Sequence, residues 1–294
     1  MHAPLLTALL SASTALAAPT LPSQPPHNLA ANISCPIVFD GRIPTSFATD
    51  PTKFDTYATN TIYNPDYVKG NDIKWSTILK FPPGPASRFD GADNVPVEVT
   101  ISDASIFQTQ KGFRRAGLQF LKDAADGEGQ RGVKTLHFSV KQDSARPLNL
   151  THEYLNVWHE TADYSANQIN FQTGTIIGSN GADRNNFKIL DRDGKALYSV
   201  AIDKAQWQNF AVKLDYTKNQ VQIYYSVGDA ALKSVAGPAS ATLSGGGQFQ
   251  LGILKKPTGT SDVVNGGYQE SNLNEGQIYG GVFLEDSANG CVSL

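Results

Sequence analysis

Apolar and polar residues alternate with a period of two along most of this chain, a pattern typical of strands that bury one face. Clusters of Gly, Pro, Asn and Asp separate the alternating runs, and helical periodicity nowhere lasts more than about two turns. The pattern predicts strands at residues 97–101, 113–120, 135–141, 152–160, 210–216, 220–226, 248–254 and 277–285. We therefore predict an all-β protein, a two-sheet sandwich of the β-jelly-roll type.

The same alternation assigns side chains to an inward or an outward face. The residues predicted to fill the core are Ala116, Leu118, Phe120, Leu136, Phe138, Val140, Leu155 and Val157. The outward set comprises Arg115, Gly117, Gln119, His137, Ser139, His152, Tyr154, Asn156, Trp158 and Glu160.

Aromatic rings beside Arg, Asn and His are unusual on a solvent-facing strand, and they suggest a sugar-binding surface. A pyranose offers a flat C–H face that stacks on an aromatic ring, and its hydroxyls pair with polar side chains. We predict a carbohydrate groove lined by Arg115, Gly117, His152, Tyr154, Asn156 and Trp158. A loop that covers an outward Trp158 is the alternative explanation of the same pattern.

Carboxylates are the candidate catalytic groups. The sequence holds no nucleophile elbow, Walker loop, dinucleotide fingerprint or His-Glu-x-x-His motif. On a strand His152 and His159 face opposite sides and cannot chelate one metal ion, so metal ligation is weakly supported. Glycoside hydrolysis needs two carboxylates that flank the scissile bond. Glu160 keeps the parity of the groove and is the first catalytic candidate, with Glu153 as the alternative. His137, a titratable group on another strand, is a further catalytic candidate.

Composition and the first residues indicate a secreted protein. The 24 basic and 27 acidic residues give a net charge of −3 without a basic cluster, which argues against a nucleic-acid partner. Residues 1–17 combine an apolar run with small residues at its end, as in a signal peptide, and residues 18–34 form a Pro-rich arm. No later run is long enough to span a membrane. Sequons at Asn32 and Asn149 fit an extracellular route.

The two cysteines stand at opposite ends of the remaining chain. In an oxidising compartment, Cys35 and Cys291 are most simply explained as one disulfide. Residues 35–294 would then be a single domain whose ends meet, and we expect a monomer.

Several longer motifs resemble one family. They lie at residues 35–44, 64–70, 112–115, 134–140, 151–165, 252–259, 278–281 and 290–292. Together they are similar to glycoside hydrolase family 131, the secreted fungal β-glucanases. The resemblance implies a β-jelly roll and hydrolysis of β-1,3-, β-1,6- and β-1,4-glucans with inversion, without a metal or other cofactor. Because the sequence ends three residues after Cys291, we expect no appended carbohydrate-binding module.

One position departs from the family pattern. The family has a catalytic Glu two residues after the second Arg of its Phe-Arg-Arg motif, and this chain has Gly117 there. The other family carboxylate lies within residues 151–160, where Glu153 and Glu160 are both open. Two further hypotheses follow: a glucan-binding protein with weak or no activity, and a polysaccharide lyase that uses Arg115, His137, Tyr154 and Asn156.

Overall fold

Two antiparallel sheets packed face to face form most of the structure, a computed structural model that describes residues 33–66 and 68–294. The predicted signal peptide (1–17), the Pro-rich arm up to residue 32 and the Asn32 sequon lie outside the described residues. Within the described ranges no helix is long and apolar enough to cross a membrane.

Strands make up nearly all of the regular structure. They are β1 (Ile37–Asp40), β2 (Ile43–Pro44), β3 (Leu79–Lys80), β4 (Asn94–Val95), β5 (Val97–Ser102), β6 (Arg114–Gln119), β7 (Val133–Gln142), β8 (Glu153–Glu160), β9 (Asn167–Gly174), β10 (Asn186–Asp191), β11 (Ala196–Ala201), β12 (Gln208–Asp215), β13 (Gln220–Val227), β14 (Lys233–Ser240), β15 (Gln248–Lys255) and β16 (Asn274–Asp286). The helices are α1 (Thr45–Ala48) and α2 (Trp75–Ile78), with 3-10 turns at Pro51–Asp55, Glu128–Gln130 and Ala288–Gly290. The predicted all-β fold is confirmed, and each predicted strand is present.

The strand order explains how distant residues come together. The larger sheet runs β14-β13-β12-β7-β16-β5-β3, with β1 also pairing with β16. The second sheet runs β11-β10-β9-β8-β15-β6, and all its pairings are antiparallel. β15 therefore lies between β6 and β8, although β8 and β15 are separated by nearly 90 residues of chain. This arrangement places three chain segments side by side on one sheet face.

Apolar side chains from both sheets fill the space between them. Of the eight predicted core residues, seven lie in this core: Ala116, Leu118, Phe120, Leu136, Phe138, Val140 and Val157. Leu155 does not, because the β8 register shifts between Leu155 and Val157. Leu155 instead packs with Trp158 and Leu254 in a separate cluster on the outer side of the sheet. The shift reverses the faces of the residues before it.

The ends of the described chain are tied together. Cys35 and Cys291 form a disulfide with a Cα–Cα distance of 5.9 Å, as predicted. Nearby, β1 pairs with the last residues of β16, so both ends lie on the larger sheet. The disulfide joins two residues that are 256 positions apart in the sequence.

Candidate active site

Polar side chains from three neighbouring strands converge on the outer face of the six-stranded sheet. Glu160 ends β8, Gln250 lies on β15, and Arg115 lies on β6. In the sheet Glu160 pairs with Gln248 and Arg115 pairs with Leu254. Gln250 lies on β15 between those two pairs, so its side chain can reach both. Residues up to 135 positions apart therefore share one site.

Two hydrogen bonds link the three side chains: Arg115 donates to Gln250, and Gln250 donates to Glu160. Gln250 Nε2 donates to Glu160 Oε2 at 2.5 Å. Gln250 Oε1 accepts from Arg115 Nη2 at 3.4 Å. The Arg115 guanidinium also lies 5.8 Å from the centroid of the Trp158 ring, within cation–π range. Gln250 and Arg115 are buried, whereas Glu160 is half-buried.

The surroundings of Glu160 suit an acid catalyst. Burial raises the pKa of its carboxyl, and the positive charge of Arg115 and the hydrogen bond from Gln250 partly offset that rise. A general acid must keep its proton and still be reachable, and the raised pKa and partial exposure of this carboxyl both act in that direction. The structure thus supplies a physical basis for the preference for Glu160 that came from strand parity alone.

A Gly-rich turn supports the backbone of Glu160. Gly247 has φ +118°, and a Cβ there would lie 1.7 Å from the Glu160 carbonyl oxygen. Only glycine fits such a close approach with this backbone conformation. On the other side, the turn after Glu160 is closed by hydrogen bonds between Thr161 and Ala166. The site therefore rests on a rigid strand end.

Trp158 does not line an open groove. Its side chain is only 1% exposed, so the prediction that it stacks on a glucose ring is wrong for this structure. The ring packs with Leu155, Leu254 and Phe113. A Cβ at Gly117 would lie 3.2 Å from Trp158 Cη2 and 3.0 Å from Gln250 Oε1, so the ring and the amide occupy the space beside this glycine.

Tyr154 and Asn156 also lie elsewhere than predicted. Tyr154 faces the core because of the β8 register shift, and its hydroxyl donates to Glu275 Oε2 at 2.8 Å. Asn156 is fully buried, and its backbone carbonyl accepts from the Tyr279 hydroxyl. Neither side chain is available to a sugar.

His152 and Glu153 belong to the opposite end of β8 from Glu160. His152 is 2% exposed and contacts Glu270 at 3.0 Å. Glu153 pairs with Lys256 at 2.6 Å and accepts the backbone N–H of Ile177. The structure therefore does not bring Glu153 to the Glu160 cluster.

His137 lies in the other sheet. On β7 it is fully buried, stacks on Phe283 at 4.3 Å, and its Nε2 lies 2.8 Å from Glu285 Oε1. Glu285 also accepts from the Ser293 hydroxyl, so the group joins the end of the chain to β16. The prediction of a catalytic His137 is wrong, and the lyase set of Arg115, His137, Tyr154 and Asn156 is not assembled.

Sequence reasoning missed Gln250 in this site, and it did not consider the exposed turn that follows Glu160. Gln250 was not singled out, because parity within a strand does not reveal which strands are neighbours. Tyr164 follows Glu160 in the β8–β9 turn, is 66% exposed and has φ +59°, an uncommon backbone state for a bulky residue.

Two other predictions concern glycosylation of Asn149 and the absence of a metal site. Asn149 is exposed, and its Nδ2, which would carry a glycan, donates to Glu270 Oε1 at 2.9 Å. Its glycosylation stays a prediction. In the part of the chain that the structure describes, no group of three or more His, Cys, Asp or Glu side chains is placed to hold a metal ion.

Comparisons with known proteins agree with this architecture. The described chain superposes on a GH131 β-glucanase catalytic domain from Podospora anserina with a TM-score of 0.69 at 20% identity, covering 87% of this chain and 97% of that one. For the catalytic domain of the glycoside hydrolase family 131 protein from Coprinopsis cinerea, the TM-score is 0.64 at 21% identity, with 87% and 100% covered. A comparison with curated protein sequences gives no match. The model of the glycoside hydrolase 131 catalytic N-terminal domain matches residues 37–290, and the chain therefore belongs to this family of glycoside hydrolases.

Proposed function

We propose that this protein is a secreted β-glucanase that cleaves β-1,3-, β-1,6- and β-1,4-glucans with inversion, with Glu160 as its general acid. The observation that carries the proposal is the half-buried Glu160 carboxyl, whose pKa is raised by burial and whose Oε2 is held by Gln250. The Podospora relative with the same fold is described as a β-glucanase, which supports the substrate class.

The geometry around β15 fits an acid on one side of a bound sugar. Glu160 and Gly117 lie on the two strands that flank β15, and the Gln250 amide lies between them, 2.5 Å from Glu160 Oε2 and 3.0 Å from where a Cβ at Gly117 would stand. In inverting glycosidases the two carboxyls stand roughly 6.5–9.5 Å apart, so that a water fits between the second carboxyl and the sugar. In this chain the Gly117 position has no carboxylate, and the contacts of Glu160 with Gln250 support Glu160 as the acid.

A glucan-binding protein with little turnover is the second candidate, and Gly117 is the observation that favours it. Without a base to activate water, hydrolysis loses a contribution of roughly 10²–10⁴ in rate. Binding to the same sheet face does not depend on that base. The two candidates predict different ratios of hydrolysis to binding.

Release of reducing sugar from laminarin and cello-oligosaccharides tests the proposal, with proton NMR reporting the first anomer formed. We expect measurable release by the wild type and an α-anomer as first product. Glu160→Gln should abolish release while oligosaccharide binding persists, because the amide cannot donate a catalytic proton. Glu153→Gln is the matched control, since Glu153 pairs with Lys256 at the other end of β8.

The outcomes separate the candidates. Glucan binding without release by the wild type would favour the binding protein. Release that Glu160→Gln leaves intact, in a folded variant, would contradict the role of Glu160.

Secretion is supported by the apolar run of residues 1–17 and by the Cys35–Cys291 disulfide. Recovery of the mature protein from culture medium would test it.

A further inference from the structure

We infer that Gln250 is a positioning residue that fixes which oxygen of Glu160 carries the catalytic proton. The inference rests on the proposed function, because it assigns a role within the same site. Gln250 is 2% exposed and lies between Arg115 and Glu160 on the central strand of the three that form the site. Its amide contacts both charged side chains, one with each end.

The orientation of the amide follows from its neighbours. A guanidinium has donors and no acceptor, so the end of Gln250 that faces Arg115 must be the carbonyl oxygen. The other end is then the NH₂ group, which donates to Glu160 Oε2 at 2.5 Å. Turning the amide over would place N–H against N–H at Arg115 and oxygen against oxygen at Glu160. Arg115 thus fixes the orientation of the Gln250 amide, and the amide fixes which oxygen of Glu160 accepts a hydrogen bond.

Gly117 provides the room for this amide. A Cβ at Gly117 would stand 3.0 Å from Gln250 Oε1, closer than nearly all side-chain contacts allow. The Trp158 ring closes the space on the same side. With glycine at position 117, the amide stays in line between Arg115 and Glu160.

The consequence concerns the two carboxyl oxygens. A hydrogen bond donated into Oε2 disfavours a proton on that atom, so the neutral acid carries its proton on Oε1. In the reaction Oε1 gives this proton to the glycosidic oxygen as the C–O bond breaks and its electron pair moves to that oxygen. The attacking water forms the new C–O bond and loses its proton to solvent. Glu160 becomes a carboxylate, and the bond from Gln250 strengthens as the charge develops.

Gln250→Leu removes the donor while keeping a side chain of similar size. We expect kcat to fall about tenfold or more, since a hydrogen bond to a charged group is lost. We also expect the pKa of Glu160 to rise, because burial remains while a bond that favours the carboxylate is gone. The basic limb of the pH–rate profile should then move to higher pH, with KM little changed.

Gln248→Leu is the matched control. Gln248 lies on the same strand and pairs directly with Glu160 in the sheet, but its Nε2 donates to the Asp123 carbonyl and not to the Glu160 carboxyl. Carbon NMR of the Glu160 carboxyl, titrated in the wild type and both variants, reports the pKa without requiring turnover. A rise in Gln250→Leu alone supports the inference, and an unchanged titration in folded Gln250→Leu overturns it. A wild type that does not hydrolyse glucan would contradict the proposed function. The titration would still decide whether Gln250 affects the pKa of Glu160.

Discussion

At the scale of single residues, Gly117 has a role that its sequence position does not reveal. The family pattern leads one to expect a carboxylate there, and the structure shows that the space beside Gly117 is occupied by the Trp158 ring and the Gln250 amide. The backbone itself would accept a side chain, since Gly117 is not in the left-handed region. Packing, and not backbone conformation, therefore resists a side chain at this position.

Gly117→Glu alone should consequently give little gain in turnover. The new Cβ would press on Gln250 Oε1 and Trp158 Cη2 and disturb the amide that holds Glu160. In the double variant the smaller ring of Trp158→Phe removes one of these two contacts, which gives the new side chain space to move away from Gln250 and act as base. We expect the double variant to raise kcat on laminarin above that of both single variants, and Trp158→Phe alone serves as the control. Equal rates in all four proteins, each shown to fold, would mean that the missing base belongs elsewhere.

At the scale of elements, strand parity predicted most of the fold and only part of the site. Parity holds along a strand until a bulge, so Val157, Trp158 and Glu160 have the predicted faces, whereas Tyr154 and Leu155, before the register shift, do not. A bulge has no clear signal in the alternation itself. Four further long strands escaped prediction: β9, β10, β11 and β14. The many Asn and Gln residues of β9, and Gly237-Pro238 within β14, weaken the usual strand pattern.

The second limit on predicting the site from the sequence is the pairing of strands that are distant in the chain. His137 and Trp158 have the same outward parity, yet β7 and β8 belong to different sheets. Gln250 stands beside Glu160 because β15 inserts between β6 and β8, which no single strand pattern specifies. The sequence could predict that the site is a sheet face that carries Glu160, but it could not predict that Gln250 lies beside Glu160.

The turn before β15 provides a test at this scale. Gly247→Ala would place a methyl group 1.7 Å from the Glu160 carbonyl oxygen, in a backbone conformation that also disfavours alanine. We expect a loss of about 2 kcal/mol or more in the free energy of unfolding, from strain and displacement of β15. Catalytic loss should accompany it, because Gln250 and Glu160 separate. Urea unfolding and laminarin hydrolysis measure the two effects.

Gly178→Ala is the control for backbone strain. Gly178 also has a positive φ, of +86°, but a Cβ there meets no atom within 4 Å. A similar loss of stability and activity in both variants would contradict the close approach of Gly247 to Glu160 as the cause.

At the scale of the whole molecule, two buried titratable groups set opposite pH dependences of stability. Burial raises the pKa of Asp123 from 3.8 to about 7, only partly offset by the backbone N–H of Phe249. Burial lowers the pKa of His159 from 6.5 to about 3. Both side chains are at most 3% exposed, so these pKa shifts bear directly on folding. The folded protein favours the neutral form of each group.

The signs follow from which state binds more protons. Between pH 3.8 and 7 the folded protein keeps the Asp123 proton that the unfolded chain releases, so stability falls as pH rises through that window. Between pH 6.5 and 3 the unfolded chain gains the His159 proton that the folded protein excludes, so stability falls as pH drops. From about pH 4 to 6.5 the two slopes largely cancel, and their joint contribution is nearly flat.

Asp123→Asn removes one of these two slopes and leaves the other. The amide oxygen can still accept the N–H of Phe249, which Asp123 Oδ2 accepts at 2.8 Å. Near pH 4 the wild-type carboxyl is already neutral in the folded state, so the variant and the wild type should have about the same stability. At pH 8 the variant avoids the cost of a buried carboxylate, about 4 kcal/mol for a shift of this size, and should melt several degrees higher. Thermal unfolding followed by circular dichroism at both pH values measures the difference; a gain that is the same at pH 4 and pH 8 would show that ionisation of Asp123 is not its cause.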